Sequence, residues 1–247
     1  MIKKFFEISQ AQFEPLSSFR LKDKLNPKIW DGFEIDSEVR ESLIKIAEDY
    51  FGSLELEGVE LKDIMLTGSL ANFNWSDYSD FDLHLIFDFS EVNKDRELVK
   101  KYLDSAGKIW NLQHDITIKG YDVEIYSQDV DHEYTSSGEY SLMDGEWITK
   151  PDQQDFKPDE KLIKKKATLL METVEEMETD FEKGIEYDDL NERLKKIWKK
   201  IKDGRKAGLE REGEFSIENL VFKLLRRNGY IERILNLKSK AYDKQFK

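Results

Sequence analysis

The chain has 247 residues, 39% of them hydrophobic and 37% charged, enough for one large or two modest domains with an apolar core. Its net charge of −13 is unevenly divided: residues 193–247 hold 17 Lys and Arg against 7 Asp and Glu, while residues 1–192 hold 22 against 45. The absence of cysteine excludes disulfides, thiolate metal sites and cysteine nucleophiles, and no apolar run reaches the ~20 residues of a membrane span. The opening Met-Ile-Lys-Lys-Phe-Phe-Glu-Ile-Ser has too short an apolar section for a signal peptide, so a cytoplasmic location is expected.

Residues 1–35 carry Phe5, Phe6, Ile8, Phe13 and Leu16, which read as an irregular arm lying on the domain that follows. Ser37 reads as an N-cap, and Val39, Leu43, Ala47 and Tyr50 recur at helical spacing, so a core helix is expected to about residue 51, ended by Gly52. A strand over residues 61–66 then runs into Thr67-Gly68-Ser69 and a short helix or turn through Asn74. Trp75 and Tyr78 lie in the connection to the next strand, where an aromatic side chain can plug the domain surface or stack on a base.

The second strand reads Asp80-Phe81-Asp82-Leu83-His84-Leu85-Ile86. Side chains alternate along a strand, so Asp80, Asp82 and His84 share one face while Phe81, Leu83 and Leu85 enter a core. Two neighbouring carboxylates on an otherwise apolar strand repel each other and are costly to desolvate, and a hard cation such as Mg²⁺ or Mn²⁺ between them relieves both penalties. His84 reads as a hydrogen-bonded neighbour of that pair rather than a ligand, and His114 and His132 carry no ligand spacing.

Beyond Asp88, Ser90 reads as the cap of a helix whose stripe is Leu98, Tyr102, Ile109 and Trp110. Residues 116–126 read as a hairpin turning at Lys119-Gly120, with Asp122 and Glu124 on one face of its second arm. Strand-like pieces surround Met143-Asp144-Gly145, and Pro151 and Pro158 punctuate a polar linker, giving domains at residues 1–150 and 158–247. The second domain reads as helical. Ile163, Ala167, Leu170, Val174, Met177 and Phe181 form one stripe, and after Gly184 Tyr187, Leu190, Leu194, Ile197 and Ile201 form another, an αα-hairpin. Ser216 caps a third helix, Asn228-Gly229 ends it, and residues 231–242 supply a fourth. The basic run from Arg193 to Lys202 places Lys195, Lys199 and Lys202 along one exposed side, either a solvated face or a track for phosphates. The basic end as a whole fits either a nucleic-acid surface or a dock for the acidic domain.

Gly68-Ser69 at the end of one strand, followed by Asp80-Phe81-Asp82 opening the next, resembles the signature of the DNA polymerase β-like nucleotidyltransferases. The resemblance implies an α+β domain with a mixed sheet, with Gly68 and Ser69 holding the triphosphate of an NTP and Asp80 and Asp82 holding divalent metal. A third metal-binding acid is implied on a later strand between apolar residues, where Glu124 fits best and Asp122 is the alternative. The implied activity is metal-dependent transfer of a nucleotidyl group to a hydroxyl, an RNA end being one acceptor and a protein or small molecule the others. A catalytically silent fold that binds nucleotide or polyanion is the rival from another class. Minimal enzymes of the family commonly carry Arg-Gly soon after Gly-Ser, whereas this chain has Leu70-Ala71-Asn72-Phe73-Asn74. The layout, including Leu25 to Gly32 and Glu214 to Asn219, is similar to nucleotidyltransferase-like proteins encoded by large bacteriophages, which implies a host cytoplasm and no particular substrate. The helical domain has no histidine or cysteine and reads as structural.

Overall fold

The computed structural model describes residues 16–132, 136–153 and 155–246. They fall into two compact units, one of residues 21–155 and one joining residues 16–20 to 156–246. The first is a mixed six-stranded sheet with helices and the second is helical, an α+β arrangement.

In the sheet unit a two-residue hairpin of β1 (Trp30–Asp31) and β2 (Glu34–Ile35) precedes α1 (Ser37–Ser53). The cap of α1 is Asp36, one residue before the serine expected, its carboxylate accepting from Val39 N at 3.0 Å. Gly52 stays inside the helix, which closes over Leu54. The buried stripe of α1 is Val39, Leu43, Ala47 and Tyr50, as the spacing predicts.

Six strands follow: β3 (Asp63–Thr67), β4 (Phe81–Phe87), β5 (Thr117–Ile118), β6 (Tyr121–Asp129), β7 (Glu139–Ser141) and β8 (Glu146–Thr149). Their order is β5-β6-β4-β3-β7-β8, and only β4 and β6 run parallel. Parallel neighbours need a crossover, and α2 (Phe89–Val92) with α3 (Arg96–Gln113) supplies it. Lys119 and Gly120 turn the β5–β6 hairpin, both at positive φ, as a two-residue loop of matching twist requires. One sheet face carries Ile64, Leu66, Leu83, Leu85 and Ile125 into a core closed by α1 and α3.

The start of α3 differs from the sequence expectation. Asp88 caps only the short α2, and Asp95 caps α3 by accepting from Leu98 N at 3.1 Å. Its buried residues are Val99, Leu103 and Gly107, whereas Leu98, Tyr102 and Ile109 are exposed. Gly107 lies so close to β6 that a Cβ would come within 3.2 Å of the Ile125 carbonyl oxygen, and Asn111 bonds the Ile125 backbone through both amide atoms. Arg96 reaches Asp88 and Asp129, each at 3.1 Å, and Asp131, tying the start of α3 to the ends of β4 and β6.

The helical unit contains α4 (Glu160–Glu182), α5 (Tyr187–Glu212), α6 (Ile217–Arg227) and α7 (Tyr230–Lys244). Its core joins Ile163, Ala167, Met171 and Val174 of α4 to Leu190, Leu194, Ile197 and Ile201 of α5 and to the apolar faces of α6 and α7. Met171 is fully buried, and Leu170 of the expected stripe packs partly buried against the same core. Leu16 and Phe19 belong to this core, not to the sheet unit on which the sequence reading laid Leu16; Phe5, Phe6, Ile8 and Phe13 lie outside the described residues. Asp159 and Ser216 cap α4 and α6, and Gly184 and Gly229, at positive φ, turn the chain between helices. Arg193–Asp180 at 2.7 Å and Lys166–Glu218 at 2.6 Å link α4 to α5 and to α6. Among the described residues no helix is long and apolar enough to cross a membrane.

Candidate functional site

The sheet face opposite the core is polar, and its side chains lie in rows across the strands. In the first row Thr67 of β3 pairs with Asp82 of β4, which pairs with Glu124 of β6. In the second, Met65 pairs with His84 and His84 with Tyr126. Strand register thus brings Asp82 and Glu124 side by side although 41 positions separate them in sequence. Asp80 stands two residues ahead of Asp82, just before β4 begins. Asp122, the alternative to Glu124, is exposed at the hairpin and pairs with Thr117 instead.

Gly68 has a role that the sequence reading did not assign to it. It follows β3 at φ 74, ψ −160, a conformation open essentially to glycine alone. A Cβ there would stand 1.8 Å from Asp82 Oδ2 and 2.8 Å from its Cγ. The Asp82 carboxylate therefore occupies the hollow that the missing side chain leaves. Ser69 opens a short 3₁₀ turn, Ser69–Ala71, and its hydroxyl donates to Ser79 Oγ at 2.8 Å. Ser79 Oγ also accepts from Ser76 N at 2.9 Å, which holds the loop before Asp80 against the Gly68-Ser69 turn. Trp30 Nε1 donates to the Leu70 carbonyl and Trp75 Nε1 to the Lys24 carbonyl, each at 2.8 Å, so the 21–35 segment braces this loop. Trp75 packs against the core and Tyr78 is 47% exposed.

Tyr126 is the residue that sequence reasoning missed, although its place two positions beyond Glu124 on the same strand face was legible. Its hydroxyl donates to Glu124 Oε2, and its ring stacks on His84 at 5.1 Å. Desolvation, then the negative charge of Glu124, Asp82 and Asp80, raises its pKa far above the ordinary phenol value. At neutral pH the hydroxyl therefore keeps the proton that it donates to Glu124, and all three candidate acids lie within electrostatic reach of it. Burial pushes His84 down to about 4, opposed by a hydrogen bond with Gln128 and reinforced by His132, so the ring is neutral at pH 7. The buried His84 Nδ1 has no hydrogen-bond partner among the described residues. His114 lies elsewhere, stacked on Trp110 at 3.8 Å.

A hard divalent cation suits this donor set in chemistry and in backbone register: two carboxylates opposite each other, a third two residues away, and one of them seated in a glycine hollow. As the side chains stand, no group of three or more acidic or histidine side chains among the described residues is gathered around one ion position. Glu124 is instead turned to Tyr126. No known protein family, curated protein or solved structure is matched by the chain.

Proposed function

We propose that the sheet unit is a nucleotidyltransferase domain of the polymerase β-like type, which transfers a nucleotidyl group from an NTP to a hydroxyl. The observation that supports this most directly is the Asp82–Glu124 register, with Asp82 seated in the hollow at Gly68. In the reaction the acceptor oxygen attacks the α-phosphorus, the bond from that phosphorus to the β-bridging oxygen breaks, and pyrophosphate leaves. Asp80, Asp82 and Glu124 would hold Mg²⁺ or Mn²⁺, which when bound supplies Lewis-acid stabilisation of the phosphate charge. Glu124 would take the acceptor proton, and to do so it must leave the Tyr126 hydroxyl. By the resemblance the Gly68-Ser69 turn would meet the β- and γ-phosphates, through its backbone and the Ser69 hydroxyl rather than through the hollow at Gly68, which the Asp82 carboxylate fills. The likeness to phage-encoded proteins, and with it a host cytoplasm, belongs to the same proposal.

Thermal melting tests the reading. Wild type should gain melting temperature when Mg²⁺ and an NTP are added together, because a ligand that binds only the folded state stabilises it. Asp82→Asn should gain almost none, and it should transfer no label from a labelled NTP to any fraction of a cell extract. Equal shifts in both proteins would move the metal away from Asp82 and remove the catalytic assignment.

The alternative, a silent fold that binds nucleotide without turnover, draws on one observation: the three acids are not gathered as they stand. It predicts the melting shift without any label transfer. The same labelling separates an RNA end from a protein or small-molecule acceptor.

A further inference from the structure

The basic face of α5 is not uniform. Lys195 pairs with Glu192 at 2.9 Å and Lys199 with Asp203 at 2.6 Å, so two of the three lysines expected to track phosphates are matched by acids of their own helix. Further along, Trp198, Lys202, Arg205, Lys206, Leu209 and Glu210 line an open groove of about 500 Å³ with Phe222 of α6. Lys202 Nζ stands 5.6 Å from the centre of the Trp198 ring, and the Arg205 guanidinium lies 4.2 Å over Phe222. Three cations and two aromatic rings thus share one groove; its single acid, Glu210, holds Lys206 only loosely, at 3.9 Å against 2.9 and 2.6 Å for Lys195 and Lys199, and Arg205 Nε donates to Asn219 Oδ1 at 3.1 Å. From Trp198 to Glu210 the helix rises roughly 18 Å.

We propose that this groove binds single-stranded nucleic acid, with phosphates against Lys202, Arg205 and Lys206 and a base stacked on Trp198. The proposal stands independently of the nucleotidyl-transfer reading, since it concerns only the helical unit. The ligand follows from the pairing of two chemistries. Cations alone serve any polyanion, but the part of the Trp198 indole that the helical core leaves uncovered, at one end of the row, rewards a partner that carries planar rings at intervals along a charged backbone. Base-on-aromatic stacking contributes about 1–3 kcal/mol per base, and phosphate contacts bring a steep salt dependence. An acidic peptide would engage the lysines and leave Trp198 with nothing to stack on. A duplex would offer its phosphates but keep its bases out of reach.

Binding of the full chain to fluorescein-labelled 12-mers of rU and dT, followed by anisotropy without metal or NTP, tests this. Affinity should fall with salt at a log–log slope of roughly −2, as about three phosphate contacts to a single strand require. Lys202→Gln with Lys206→Gln should flatten that slope and weaken binding at least tenfold. Trp198→Leu should weaken binding roughly five- to a hundredfold and leave the slope unchanged, since it removes stacking and no charge. Lys195→Gln with Lys199→Gln should change neither. A loss in that control pair as large as in Lys202/Lys206, or a Trp198→Leu protein that binds like wild type, would replace the groove with a diffuse polyanion surface. Absence of binding to both oligomers at low salt would overturn the proposal. Because no NTP or metal is present, failure here leaves the Asp82 melting test untouched.

Discussion

The helical unit and the polar face of the sheet handle charge in opposite ways. In the helical unit acids and bases meet along or between neighbouring helices: Arg193 with Asp180, Arg233 with Glu178, Lys166 with Glu218, Lys199 with Asp203. Such pairs offset one another and brace the bundle, each contributing modestly because water screens it. On the polar sheet face the register instead sets like charges side by side, whereas elsewhere in that unit Arg96 is paired with Asp88, Asp129 and Asp131. Asp82 and Glu124 stand on adjacent strands, and the bonded partner of Glu124 is a neutral tyrosine. Like charges directly opposite each other on a sheet are destabilising. A fold that keeps them, and shapes a glycine hollow around one of them, gives up stability at that place, which is the usual mark of a working site.

Glycine substitutions sharpen the contrast most. Gly68→Ala would require both a backbone conformation that alanine avoids and displacement of the Asp82 carboxylate. A loss of about 2–4 kcal/mol is expected in urea unfolding, together with loss of the melting response to Mg²⁺ and NTP. An unaffected protein would mean that the hollow is incidental.

Gly204 in α5 is the counterpart. A Cβ there would meet nothing closer than Glu218 Cγ at 3.8 Å, and the residue lies in a helix interior. Gly204→Ala should therefore stabilise by roughly 0.5–1 kcal/mol, read in the same unfolding experiment. A destabilised variant would show that the helical unit is under a constraint its packing does not reveal.

The smallest effect concerns Asp63, at the far end of the polar sheet face. Burial raises its pKa, partly opposed by hydrogen bonds from Ser141 Oγ and Ile64 N. A carboxyl whose folded pKa lies above its unfolded value takes up protons on folding between the two. Wild type therefore loses stability as pH rises through that window, and a neutral variant does not. Asp63→Asn should melt slightly above wild type at pH 7, and the difference should vanish on acidification below the carboxylate range. An Asn variant that melts lower at neutral pH would show that the ionised carboxylate is wanted there.

The amino-acid order alone determined much of this architecture. Alternation over Asp80 to Ile86 placed Asp82 and His84 on one face and Phe81, Leu83 and Leu85 in the core, because a strand leaves no other arrangement. Helical spacing located the buried stripes of α1 and α5, and Lys119-Gly120 located the hairpin, since each depends on neighbours within a few residues. What needed the tertiary structure was every choice between equivalent local readings. Of the residues read as the stripe of α3, Trp110 packs against the core while Leu98, Tyr102 and Ile109 are exposed, and the buried face is Val99, Leu103 and Gly107. Packing selected that face because Gly107 lets the helix approach β6, and a glycine is invisible to a count of apolar side chains. Leu16 joined the helical core, a long-range pairing that no local pattern encodes. Glu124 and Asp122 share a strand face, and only the parallel register of β4 with β6 set Glu124 beside Asp82. The hollow at Gly68 and the hydroxyl of Tyr126 on Glu124 likewise exist only once the strands have met, because they are contacts between side chains and not properties of any one segment.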